Sequence, residues 1–362
     1  MVKKMKVAII SYSESRNPGA QLQSYALQTT IRDRYPFVDK CVHIQHRTFD
    51  TKIIPPSKGA KGLLKKAFFL GTYIPRKRGV KRYLDFQNKF LQLTSVCTDE
   101  KKLEELNSEY DMFISGSDQI WSCTNGIRKP FFLTFVNDSK KKNSYGASMG
   151  SESIPEAYKK DFIDYVSDYN HICVREHSTR LFLEQIIKDK KIYESCDPVF
   201  LMNIDKWKKL FSEKPLIKEP YIFVYSTQMS PFFKSAIKKI QQDTNCLVVT
   251  SRPLSGIKCR TVYDMSPIEF LNYEYNADYI VSTSFHSIAF AVIFKKELYC
   301  IPHSTRSSRT VNLLEKLCIN RVIRDLKDIN YIPIDYEDAE SRKSEMVSSS
   351  LSYLDMIINK KE

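Results

Sequence analysis

Two apolar periods alternate along this chain. Short unbroken apolar runs, of the kind that suit strands buried on both faces, are followed by longer stretches with apolar residues every three or four positions. Residues 6–11 read as a first strand. The turn Arg16-Asn17-Pro18-Gly19 follows, and Leu22, Tyr25, Ala26 and Ile31 then set out one face of a helix. Further strands are expected at 40–45, 110–115, 142–148 and 171–174. Helices are expected over 82–93, around Leu103 and Leu106, over 155–168, and along Leu181, Leu183, Ile186 and Ile187. A polar stretch bearing Lys and Pro, 203–220, interrupts the alternation. It then resumes with strand 221–225, helix 231–242 and strand 246–250. The capping box Ser266-Pro267-Ile268-Glu269 opens a helix running to about Tyr275. Strand 279–281, an apolar helix after His286 and strand 297–301 come next. Val311, Leu313, Leu314 and Leu317 mark another helix. Leu351, Leu354 and Ile358 mark a last one over 348–359, free to pack on either half.

Strand–helix alternation in two runs predicts an α/β protein of two doubly wound Rossmann-like domains facing a cleft. At 362 residues the chain exceeds what one compact core usually holds. The expected division is 1–202, 203–330 carrying the Ser-Phe-His motif, and a tail with a helix at 331–362.

In open α/β sheets, ligands gather at the carboxyl ends of the strands, and helix N-termini attract anions. Three strand ends carry suggestive chemistry. Ser284-Phe285-His286 opens the helix after strand 279–281; a plain reading makes Ser284 a cap and His286 a packing residue. Gly116-Ser117-Asp118 ends strand 110–115, where Asp118 has the alternative of capping a short turn. Arg175 ends strand 171–174; it suits a bidentate grip on carboxylate or phosphate, or else a surface ion pair with Glu176. In the first turn Asn17 can cap, Pro18 fixes φ, and Gly19 permits close backbone approach. With one glycine instead of three, that turn fails as a dinucleotide fingerprint.

Composition narrows the partners. The net charge of +14 implies an anionic one: a phosphorylated substrate, an anionic membrane or nucleic acid. Nucleic acid is not expected, because the polar candidates lie at strand ends and not along one basic face. A basic insert near 58–84 carries Lys58, Lys61, Lys65, Lys66, Arg76, Lys77, Arg78, Lys81 and Arg82 with no acid, interleaved with Leu63, Leu64, Phe68, Phe69 and Leu70. It is compatible with an anionic bilayer surface, but such runs more often form a solvated loop and helix that needs no partner. The opening apolar run is too short for a signal peptide, and no run reaches membrane-spanning length. A cytoplasmic protein is expected, at most peripheral at the inner face of the membrane. Nine cysteines lie scattered without a Cys-x-x-Cys pair, which suits reduced, mostly buried thiols. His43 and His46 have no acid at zinc-site spacing, so no metal or other cofactor is expected.

Several stretches, in order, resemble the polysaccharide pyruvyl transferase family. They are Asn17-Pro-Gly-Ala-Gln-Leu-Gln-Ser-Tyr-Ala-Leu27, Gly116-Ser-Asp-Gln-Ile-Trp121, Tyr145-Gly-Ala-Ser148, Arg175-Glu176, Asp197-Pro198, Ser284-Phe-His286 and Asn312-Leu-Leu314, with Arg309 ahead of the last. The resemblance implies a GT-B-like fold. It also implies transfer of the pyruvyl group of phosphoenolpyruvate onto two hydroxyls of a sugar, or of a lipid-linked oligosaccharide, as a cyclic ketal. On that reading His286 is the general acid/base and Arg175 the carboxylate or phosphate clamp. Asp118 orients or activates the acceptor, while Asn17 and Gly19 line the cleft with backbone N–H groups; Ser117 and Ser284 complete the substrate-binding set. Pro18 and Ser287 depart from the family pattern, and Ser284 stands where some members carry arginine, so a second anion grip is expected from Arg306 or Arg309. A nucleotide-sugar glycosyltransferase of the same architecture and a non-enzymatic basic binding protein are the competing readings.

Overall fold

The computed structural model describes residues 4–46, 51, 69–151, 153–226, 228–302 and 308–359. The N-terminal half runs β1 (Met5–Ile10), α1 (Pro18–Arg34), β2 (Val38–Gln45), α2 (Tyr73–Phe90), β3 (Leu93–Val96), α3 (Glu100–Glu109), β4 (Met112–Gly116), β5 (Lys142–Tyr145), α4 (Glu156–Ser167), β6 (Ile172–Val174), α5 (His177–Ile186) and β7 (Ile192–Glu194). A 3-10 turn, Pro198–Leu201, and the short α6 (Ile204–Lys208) lead across. The C-terminal half runs β8 (Tyr221–Tyr225), α7 (Pro231–Thr244), β9 (Leu247–Thr250), β10 (Cys259–Thr261), α8 (Pro267–Asn276), β11 (Tyr279–Ser282), α9 (Phe285–Ile293), β12 (Glu297–Cys300) and α10 (Ser308–Lys316). The long α11 (Glu337–Ile358) closes the chain.

Each half holds a five-stranded parallel sheet with the same topology. The orders are β3-β2-β1-β4-β5 and β10-β9-β8-β11-β12. Isolated parallel bridges, Asn143 to His171 and Ala147 to Val174, continue the first sheet from β5 toward the β6–β7 pair. In both sheets the order reverses beside a central strand, β1 or β8, which opens a crevice at the carboxyl ends. The central strands are apolar and buried through most of their length, as parallel strands covered on both faces must be.

The sequence signals for α1 act as expected. Asn17 Oδ1 accepts from the N–H groups of Gly19 (2.9 Å) and Ala20 (3.4 Å), Pro18 takes the first turn, and Arg32 and Arg34 sit in the last. The capping box of α8 is likewise formed, Ser266 Oγ with the Glu269 N–H and Glu269 Oε2 with the Ser266 N–H. All nine residues of α9 are buried, which marks it as a central helix. It packs on α8, α10 and the Pro198–Leu201 turn, and Phe290 stands edge-on to Trp207 at 5.0 Å. One apolar core therefore joins the halves, from Leu22 and Ala26 of α1 through Val199 and Trp207 to Phe270 and Phe290.

The last helix packs on the N-terminal half. Tyr353, Leu354, Ile357 and Ile358 join Val7, Ile9, Leu27 and Ile31 in one cluster. Tyr353 Oη donates to the Ser144 carbonyl at 2.7 Å, and Arg34 binds Asp355 with both Nε (2.8 Å) and Nη2 (2.6 Å). Eight of the nine cysteines are at least partly buried and none forms a disulfide.

Candidate active site

Side chains from four strand ends, with Arg309 of α10, meet between the halves. Arg175, just past β6, is buried and surrounded by acids. Its Nη1 donates to Asp197 Oδ2 at 2.5 Å and its Nε to Glu176 Oε1 at 3.0 Å, while Nη2 lies 4.0 Å from Asp118 Oδ1. The Phe285 ring covers the guanidinium at 4.4 Å from Cζ. Asp197 stands just past β7, at the N-cap of the 3-10 turn, where Oδ1 accepts the Val199 N–H at 3.1 Å. Ser117 Oγ donates to Asp197 Oδ2 at 3.3 Å.

Asp118 follows β4 in the left-handed region, φ 59°, a conformation that Asp tolerates better than most residues. Its carbonyl accepts from Ile120 (2.8 Å) and Ser148 (3.1 Å), which pins the turn. The carboxylate then stands between two guanidinium groups, since Arg309 Nη1 of α10 lies 3.7 Å from Oδ1.

His286 enters from the C-terminal half, on the first turn of α9. Its Nε2 stands 3.4 Å from Asp197 Oδ2, the oxygen that Arg175 holds. The other side of the ring presses on α1. A Cβ built on Gly19 would lie 2.2 Å from His286 Cγ and 2.3 Å from Nδ1. Only a residue without a side chain fits there.

The charges are mutually sustaining. Burial opposes ionisation of Asp197, but the adjacent His286 and Arg175 outweigh it and hold its carboxyl well below the usual carboxylate range. Burial likewise opposes the charge on Arg175, and Glu176, Asp197 and Asp118 more than offset it. Beside this cluster opens a cavity of about 580 Å³. Arg175, Asp197, Phe285, Arg309 and Lys316 are among its walls; His286 is not, and reaches it only through Asp197 and its neighbour Phe285. Cations stand in the wall beside Glu176, Glu194 and Glu315, and the imidazole lies one residue behind it, so the arrangement joins charged groups of both signs with a titratable ring.

A profile described as polysaccharide pyruvyl transferase matches residues 17–305, most of the chain. The chain belongs to the polysaccharide pyruvyl transferase family. A search of curated proteins returned no match. Solved structures are similar in fold. A UDP-N-acetylglucosamine 2-epimerase aligns with TM-score 0.58 at 12% identity, covering 100% of this chain and 98% of its own. The UDP-GlcNAc 2-epimerase of Methanocaldococcus jannaschii, in complex with UDP-GlcNAc and UDP, aligns with TM-score 0.52 at 12% identity, covering 96% and 100%. These likenesses establish the fold: two Rossmann-like halves in the GT-B arrangement.

Within that family framework, the strand-end residues separate into two groups. His286, Arg175 and Ser117 meet Asp197 directly, Asp118 stands beside Arg175, and Arg309 stands beside Asp118. Arg175 does pair with Glu176, but as a buried contact and not a surface one. Asn17 caps α1 as its position in the turn predicts, and Gly19 serves differently from the backbone-donor role that the resemblance implies. The Gly19 N–H is engaged by Asn17, so it is not offered to a ligand, and the missing side chain makes room for His286. Ser284 occupies the N-cap position of α9 without using its side chain as a cap. Arg306 lies outside the described residues. The residue that sequence reasoning passed over is Asp197. Its signal was the Asp197-Pro198 pair, which reads locally as no more than a capped turn.

Proposed function

We propose that this protein transfers the pyruvyl group of phosphoenolpyruvate onto two hydroxyls of a sugar, in a cell-surface polysaccharide or its lipid-linked precursor. One observation carries the reading: an arginine from the N-terminal half and a histidine from the C-terminal half share Asp197 Oδ2 at the edge of a cavity lined by both cations and carboxylates, in a chain of this family. The donor is a compact anion, and it would compete for Arg175, Arg309 and Lys316 with the carboxylates they already face, Asp197, Asp118 and Glu194. C3 of the enol gains a proton while a sugar hydroxyl adds at C2 and gives up its own. Phosphate then leaves C2, and the second hydroxyl closes the ring with loss of a proton. His286, paired with Asp197, is the group that shuttles protons, and Asp118 orients the acceptor. Reaching C3 requires the ring to exchange its Asp197 contact for substrate.

A nucleotide sugar is the competing donor, because a structure of the same fold holds UDP-GlcNAc. Thermal shift separates the two readings. The expected result is stabilisation by phosphoenolpyruvate and none by UDP- or GDP-sugars. The reverse pattern overturns the proposal. His286→Ala should abolish phosphate release in the presence of acceptor while the fold survives.

A further inference from the structure

The start of α2 presents an apolar tip backed by cations, on a helix tied down from behind. Ile74, Lys77, Arg78 and Lys81 share one exposed helical stripe at i, i+3, i+4 and i+7. Ile74 is 66% exposed, and beside it Leu70 is 59% and Tyr73 37% exposed, far more than apolar side chains usually are when grouped. Lys81 pairs with Asp85 at 2.7 Å, so among the described residues Lys77 and Arg78 are the exposed cations of this stripe next to the tip. The opposite face is fixed to the C-terminal half. Arg82 Nη1 donates to both carboxylate oxygens of Glu269 (2.7 and 2.8 Å) and to the Asp264 carbonyl (3.0 Å). The Arg76 guanidinium lies between the rings of Phe69 and Tyr263, 4.4 and 4.8 Å from their centroids. Val80, Tyr83 and Phe86 are buried.

The geometry points to this tip as a docking surface for an anionic lipid bilayer, with Leu70, Tyr73 and Ile74 entering the headgroup–acyl boundary and Lys77 and Arg78 meeting acidic headgroups. Charge complementarity selects the lipid. The cations need an anionic partner, and the exposed aliphatic side chains need an apolar one, which nucleic acid does not offer. Among the described residues no helix is long and apolar enough to cross a membrane, so the contact is peripheral. The inference does not depend on the reaction proposed above.

The test is co-sedimentation of the full chain, at physiological salt, with vesicles of equal parts phosphatidylcholine and phosphatidylglycerol, and with phosphatidylcholine alone. The wild type should bind the mixed vesicles only. Leu70→Asp/Ile74→Asp and, separately, Lys77→Glu/Arg78→Glu should each weaken binding by about tenfold or more. Lys101→Glu/Lys218→Glu, the same charge change at exposed positions elsewhere, should stay within about twofold of wild type if the patch and not the net charge is responsible. All of these side chains are solvent-facing, and an unchanged melting temperature confirms that the variants fold. Tip variants that bind like wild type, or a wild type that ignores the mixed vesicles, overturn the proposal. So does release of the protein by millimolar inorganic phosphate, which would mark a phosphate site, or retention on DNA without retention on vesicles.

Discussion

A β-carbon on Gly19 would stand 2.2 Å from Cγ of His286, so the first turn of α1 and the first turn of α9 touch with no room for a methyl group. This contact joins the two halves at the residue proposed to move protons. It makes the identity of residue 19 a condition on the placement of residue 286.

Gly19→Ala should therefore lower stability by about 1–3 kcal/mol through overpacking and reduce turnover, since either α1 or the imidazole must shift. Thermal denaturation of a double-mutant cycle checks the cause. On a His286→Gly background, which removes both the ring and the Cβ that would lie 2.5 Å away, the same substitution should cost much less, whereas on a His286→Ala background the clash with the remaining Cβ persists.

Asp197→Asn keeps the shape but removes the charge that Arg175 and His286 face. Loss of one partner from a buried ionic cluster should destabilise by roughly 3–5 kcal/mol. The pH dependence gives a sharper signature. A carboxyl whose folded pKa is depressed contributes stability that is intact above about pH 5 and drains away as pH falls below its unfolded value of about 4. The wild type should thus lose stability steeply on acidification. Asp197→Asn should lack that component in melting curves recorded from pH 3 to 7.

Glu274 has the opposite sign. It is wholly buried on α8; burial pushes its carboxyl well above the usual range, with Ser287 and Lys296 opposing only in part. The folded state keeps this proton while the unfolded chain loses it above about pH 4.3. Its contribution to stability therefore falls as pH rises from there toward the folded value. Glu274→Gln should flatten that decline and raise the melting temperature at pH 8, and a scan over pH 4–9 that shows no difference from wild type would refute the account.

Glu269 has two tasks, capping α8 and receiving Arg82 from α2. Glu269→Ala should lower stability by about 1–2 kcal/mol, mostly through the lost cap. Arg82→Ala should lower it by less than about 1 kcal/mol, because that arginine is partly solvated. Denaturant melts of the two single variants and the double variant apportion the terms.

The alternation of periods carried the architecture, and the missed strands were those with the weakest signal. β3, β7 and β10 are three or four residues long and only partly buried. Short edge strands have no apolar run to announce them. The last helix was anticipated over 348–359 and extends over Glu337–Ile358. Its first half is charged and serine-rich, with only Ala339 and Met346 buried before Ser350, so periodicity there is faint.

Caps, helix faces and the placement of polar residues at strand ends are short-range properties, and the sequence by itself determined them at Asn17, Ser266, Asp118, Arg175 and His286. Convergence is long-range. That Arg175 and His286 should close on Asp197 with Asp118 beside Arg175 and Arg309 beside Asp118, that Gly19 should yield its space to an imidazole, and that the final helix should return to the first sheet were decided only when two parallel sheets packed on one shared apolar core. No local pattern records which strand ends will face each other, because that is fixed by how the buried surfaces of distant segments fit together.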